Sequence, residues 1–185
     1  MRRNLLSITL VCLVVFIDAK LDVVDVSIKN QPGNLISTNV RASGRAPKLI
    51  SGNVTYLKDL SNEERVSVDV KKTSGLVLDF PGFINMNICD AIKKFFDPYI
   101  KTTFKTGENT NLDFKNGKLC PIPKGTYWMK NIALDVNKWK LPWWLLPGSY
   151  SVNVSVLNKD GSPGGSIAFR AKLKNKYTEK KIDMI

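Results

Sequence analysis

The chain contains no histidine. That removes Ser-His-Asp and Cys-His arrangements, and with them the commonest zinc ligand. Cysteine is nearly as scarce: Cys12, Cys89 and Cys120 are the only three. No glycine-rich run carries the lysine of a phosphate loop, and the glycines of "NKDGSPGG" (158–165) fall in a turn cluster. The carboxylates form neither a paired-acid motif for hydrolysis nor a calcium-loop spacing, and Asp22 and Asp25 fit a strand edge. Acidic residues are also in deficit, 16 against 28 lysines and arginines, for a formal charge of +12. An enzymatic reading therefore has no residues to rest on. We expect no catalytic residue, no metal site and no cofactor.

What is present begins with Arg2 and Arg3, followed by the apolar run "LLSITLVCLVVFI" (Leu5 to Ile17) and the small residue Ala19. This is the pattern of a secretory signal peptide over residues 1–19. The competing reading is an uncleaved anchor, for which the run is short. Cleavage removes Cys12 and leaves Cys89 and Cys120 in an oxidising compartment. One disulfide is their simplest use, and a free reactive thiol is the alternative. Closing a loop of this length stabilises a fold by roughly 3.5–4 kcal/mol in the chain-entropy treatment. Residues 20–175 suffice for one domain with its own core, and 176–185 form a basic tail. The cationic excess favours anionic partners, such as acidic lipid head groups, sulfated glycans or an acidic protein, unless it is simply a solvated surface. A secreted, extracellular chain is not expected to meet nucleic acid.

Several segments alternate with period two, as half-buried strands do. "RVSVDVK" puts Val66, Val68 and Val70 on one face, with Ser67 and Asp69 opposite. "SYSVNVSVL" puts Tyr150, Val152, Val154 and Val156 inside, with Ser149, Ser151, Asn153 and Ser155 outside. "SIAFRAKLK" puts Ile167, Phe169, Ala171 and Leu173 inside. "VVDVSIK", "LISTNVR", "NVTYLK", "GLVLDF" and "YWMKNIALDV" carry the same signal more weakly. The turn cluster 158–165 reads as a hairpin loop. Together these predict a mainly β chain: an immunoglobulin-like antiparallel β-sandwich. Two sequons, at Asn53 and Asn153, are candidate glycosylation sites, and Asn153 falls on an outward face.

One stretch departs from this period. In "INMNICDAIKKFFDPYI", Ile84, Ile88, Ile92, Phe95 and Tyr99 recur at helical spacing. Asn85 or Asn87 is placed to cap the start, and Pro98 to end or kink the helix near Asp97. The spacing predicts one short amphipathic helix over one end of the sandwich. Phe95, Phe96 and Tyr99 are then either packing residues or part of a cavity wall. All four tryptophans, Trp128, Trp139, Trp143 and Trp144, lie close together with lysines interleaved. "LPWWLLPG" (141–148) is bounded by prolines, which suits a loop or edge rather than a central strand. Two readings of Trp143, Trp144, Leu145 and Leu146 stand. They fold back onto the core, or they rim a pocket and touch a membrane, with Lys138 and Lys140 near anionic lipid.

The runs "NICDAIKKFFDPYI", "CPIPKGTYWMKNIALD", "LPWWLLPGSYSVNVSVLNKDG" and "GGSIAF" resemble the insect chemosensory-B proteins. Those in turn are similar to ML-type lipid-recognition and ganglioside-activator folds. The likeness covers roughly residues 52 to 169, and the family cysteines map onto Cys89 and Cys120. It implies a secreted sandwich whose sheets splay into an apolar cup for a lipid or hydrophobic semiochemical. The ligand-contacting set expected on this basis is Phe95, Phe96, Tyr99, Tyr127, Met129, Trp143, Trp144, Leu145, Leu146, Tyr150, Val152, Val154, Ile167 and Phe169. The first function expected is a hydrophobic-ligand carrier or presenter. The second is a protein-interaction module, an accessory factor for a receptor or channel. A third is a cationic defence protein acting on anionic membranes.

Overall fold

The structure, a computed structural model, describes residues 20–74, 83–141 and 145–176. The expected signal peptide (1–19), "GLVLDF", Trp143, Trp144 and the last nine residues of the basic tail lie outside that range.

Among the described residues eight strands form two antiparallel sheets. They are β1 (Leu21–Gln31), β2 (Ile36–Ser43), β3 (Leu49–Tyr56), β4 (Arg65–Lys72), β5 (Phe83–Asn87), β6 (Gly125–Ile132), β7 (Gly148–Leu157) and β8 (Pro163–Asn175). The larger sheet runs β1-β8-β7-β4-β5 and the smaller β2-β3-β6. This is the expected β-sandwich. The three cleanest alternating segments are β4, β7 and β8, adjacent in the larger sheet. Their predicted inward residues share one face: Val68 lies opposite Val154, and Val154 opposite Ile167. The turn cluster closes the β7–β8 hairpin, where Asn158 donates from its backbone N–H and its side-chain amide to Ser162.

The sheets are stitched along one side. The Asn30 side chain, on β1, accepts from Val40 N–H at 3.1 Å and donates to Val40 C=O at 2.8 Å. A single amide thus pairs with β2 as a strand residue would. On the other side a helical stretch runs from Ile88 to Thr103: α1 (Ile88–Phe95), a π turn (Phe96–Ile100) and α2 (Lys101–Thr103). Two expectations are corrected here. The helix begins at Ile88, because Phe83–Asn87 is edge strand β5 paired with β4. Asn87 precedes the helix without a side-chain capping bond. Pro98 breaks the regular α-helix, as expected, without ending the helical stretch. The missing Pro98 N–H is absorbed by a wider turn, in which Lys101 N–H reaches Phe96 C=O.

The start of α1 rests on a buried carboxylate. Glu64 is 3% exposed. It accepts from Ser61 N–H at 2.7 Å and pairs with Lys58 at 2.7 Å, while its own C=O takes the Ile88 N–H. Burial alone would push its carboxyl up. The Lys58 ammonium and the Ser61 N–H outweigh that and hold it below the ordinary 4.5. Because the folded value is the lower one, the stabilisation is complete above the ordinary value and drains away as pH falls through the folded one. The urea midpoint is therefore expected to drop as pH falls below about 4.5, and to drop less in Glu64→Gln. At pH 7, Glu64→Ala is expected to cost about 2–3 kcal/mol, the worth of hydrogen bonds to a charged group.

Candidate functional site

Apolar packing is concentrated at the two ends of the sandwich. One cluster gathers Leu21, Val26, Val40, Ile50, Ile132, Val136, Tyr150 and Leu173. The other gathers Leu35, Ile36, Leu60, Ile88, Ile92, Leu119, Ile122 and Val156. The helical stretch connects them. Ile88 and Ile92 belong to the second cluster, and Phe104, just past α2, packs on the first. At 1.5 Å per residue, Ile88 to Thr103 spans about 24 Å, the length of a strand. The helix thus lies along the sandwich from end to end rather than over one end.

The disulfide joins Cys89 to Cys120 with Cα atoms 5.5 Å apart, as expected. It ties the first turn of α1 to the segment entering β6. The β5–α1 corner of the large sheet is thereby fixed to the small sheet.

Between the clusters the cover thins. Along β7 only Tyr150 and Val156, at either end, are buried on the inward face. Val152 and Val154 between them are half-buried, as are their outward neighbours Ser151, Asn153 and Ser155. Val66 and Val68 on β4 are half-buried too. None of these four valines belongs to either cluster or packs against one. Yet β4 and β7 are interior strands with a neighbour on each side. Among the described residues the facing sheet has three strands against five, and at 4.7–4.9 Å per strand the shortfall is roughly 10 Å. On the small sheet, Thr38 faces inward in register with Val54. Its hydroxyl is buried and without a protein partner.

The residues singled out from sequence distribute over this interior as follows. Met129, Leu145, Ile167 and Phe169 pack against the first cluster, which includes Tyr150. Tyr127 joins the second, its ring 5.6 Å from Tyr56 and its hydroxyl donating to Pro123 C=O at 2.9 Å. Phe95, Tyr99 and Trp139 form an aromatic run, with centroids 6.0 and 5.9 Å apart. Trp139 Nε1 donates to Thr103 at 2.9 Å. Phe96 lies against Gly117 and lines a separate open cleft of ≈ 210 Å³ with Phe104, Phe114, Lys101, Lys105 and Lys115. Phe96 is thus not brought together with the β7 and β8 residues. Leu146 is 47% exposed, beside the undescribed Trp143 and Trp144. Asn53 is exposed on the outer face of β3, opposite Trp128. Asn153 is half-buried on the outer face of β7.

Residues 66–152 match the family described as "protein of unknown function (DUF1091)". That span takes in β4, β5, the helical stretch, both cysteines, β6 and the first half of β7. It contains Val66, Val68 and Val152 of the strip and its helical border, and leaves out Val154, β1 to β3 and β8. No curated protein matches the chain.

One residue escaped the sequence reading. Val66, Val68 and Val70 face inward, and the next position of that alternation is Lys72, opposite Tyr150. Lys72 is 6% exposed. The period-two pattern already pointed to it.

Proposed function

We propose that the protein is a secreted, non-catalytic carrier or presenter of a lipid or other hydrophobic small molecule, held between the two sheets. The observation that carries this is the half-exposed middle of β7. Val152 and Val154 face the opposite sheet yet are only half-buried, as Ser151, Asn153 and Ser155 on the outer face are. Apolar surface left open between filled ends gains by accepting an apolar ligand, and ligand sites are commonly such lined clefts. The likeness to insect chemosensory-B and ML-type proteins supports the same reading and adds the chemosensory setting. The tryptophan-leucine loop would form the mouth, with Lys138 and Lys140 drawing it toward anionic membranes.

The test is titration with a fluorescent long-chain fatty acid. Binding at micromolar affinity or better is expected, with displacement by unlabelled apolar molecules. If no fatty acid, sterol or hydrocarbon in a broad panel binds, the carrier reading fails. The second reading, an accessory module for a receptor or channel, then takes its place.

A further inference from the structure

We propose that Lys72 is the anchor for an acidic head group, so that this interior takes a single-chain amphiphile ending in a carboxylate. The proposal rests on the carrier reading above and names the ligand's chemistry. Among the described residues two charged side chains are buried, Glu64 and Lys72. Glu64 is paired with Lys58 at 2.7 Å. Lys72 has no ion-pair or hydrogen-bond partner for its ammonium among the described residues, whereas its outward neighbour Lys71 is paired with Asp69 at 3.1 Å.

The backbone keeps this lysine inside. Lys72 Cε lies against Gly148, whose φ is +150°, and a Cβ built there would come within 2.7 Å of it. Glycine at 148 therefore leaves the room that the lysine stem fills. The ammonium is not sealed off: among the described residues, the fully enclosed side-chain atom without a partner is the Thr38 hydroxyl, not Lys72 Nζ. Lys72 thus sits where a ligand's end can reach it. A buried lysine stem ending in an ammonium with no counter-charge beside it among the described residues is completed by a carboxylate that the ligand brings.

The next inward positions continue as apolar surface. Val70 lies opposite Val152, and Val152 opposite Phe169. Beyond them are the half-covered Val68 and Val154. An acid head at Lys72 therefore continues into an alkyl chain along β4 and β7. A single cation, rather than a cluster of arginines, suits a compact monoanion better than a phosphate dianion.

The experiment compares hexadecanoic acid with hexadecan-1-ol, which share a chain length and differ in the head. Both are titrated by calorimetry into the wild-type protein, Lys72→Met and Lys72→Arg. The wild type is expected to prefer the acid by about tenfold or more. Lys72→Met should bring the two ligands to within about twofold while leaving the alcohol's affinity intact, and Lys72→Arg should keep a preference for the acid. If the wild type binds acid and alcohol equally, or Lys72→Met keeps the preference, the anchor is refuted and the carrier reading stands. If the wild type binds neither, both fall. The wild-type comparison decides the matter even where a variant does not fold.

Discussion

Cys120→Ser is expected to lower the melting temperature by about 7–15 °C. The bond closes a sequence separation of 31 residues. In the chain-entropy treatment that is worth roughly 3.5–4 kcal/mol, and for a chain of this size each kcal/mol moves the midpoint by about 2–4 °C. The structural argument adds a direction. The residues flanking the cysteines, Ile88, Ile92, Leu119 and Ile122, are all buried in the second cluster. The bond therefore fixes two segments that already meet, and its loss loosens the α1–β6 junction before it loosens the strands. Calorimetry of the wild type and the variant checks this. A fall of less than about 3 °C would mean that the cluster alone holds the junction. Secretion of the variant should fall with its stability.

The strands were legible because their alternation is a direct image of burial. In β4, β7 and β8 the inward positions are apolar but for Lys72 and most outward ones are polar, so face and register follow from period two. The edge strand β5 was not legible. Its sequence, Phe-Ile-Asn-Met-Asn, is short, rich in asparagine and adjacent to true helix. Ile84 happens to stand four residues before Ile88, so the helical period runs on into a strand. Asn85 adopts a positive φ of 55°, which asparagine tolerates and which no periodicity reveals. Pro98 marked the break in the α-helix but not its form. A proline forbids one hydrogen bond, and a π turn is a cheaper remedy than ending the helix when Tyr99 and Ile100 still have apolar surface to cover.

The candidate interior was legible only in part. Inward faces can be read from sequence, but whether they meet a facing layer depends on strand count, and five against three is a property of topology. Lys72 shows the limit from the other side. Its position was fixed by Val66, Val68 and Val70, yet a lysine after an apolar run reads as the strand's exposed end. What keeps it inside is Gly148, a residue 76 positions away in the chain and adjacent in the sheet.

Filling the uncovered strip separates an open interior from a packed one. Val154 lies at the middle of β7, opposite Val68 on β4 and Ile167 on β8. Replacing it with tryptophan puts a large ring into the space between the sheets. In a close-packed core such a change forces neighbours off their rotamers and costs about 1–3 kcal/mol. Where the inward surface is open, the ring instead occupies the volume that the ligand would take. The expected outcome for Val154→Trp is a melting temperature within about 2 °C of the wild type, with affinity for a long-chain fatty acid at least about 30-fold weaker, or about 2 kcal/mol. Ser151→Trp, on the outer face opposite Lys71 and Arg170, serves as the control and should leave binding unchanged. The pairing of two readouts gives the experiment its force. A variant that loses much of its stability shows Val154 to be core, and the half-exposed valines to be gaps too small for a ligand. A variant that is stable and still binds normally places the ligand elsewhere. The open cleft of Phe96, Phe104 and Phe114 would then be the next apolar surface to block. Stability kept and binding lost is the one combination that puts the ligand between β4, β7 and the facing sheet, because only there does an added indole compete with an alkyl chain without displacing a packed side chain.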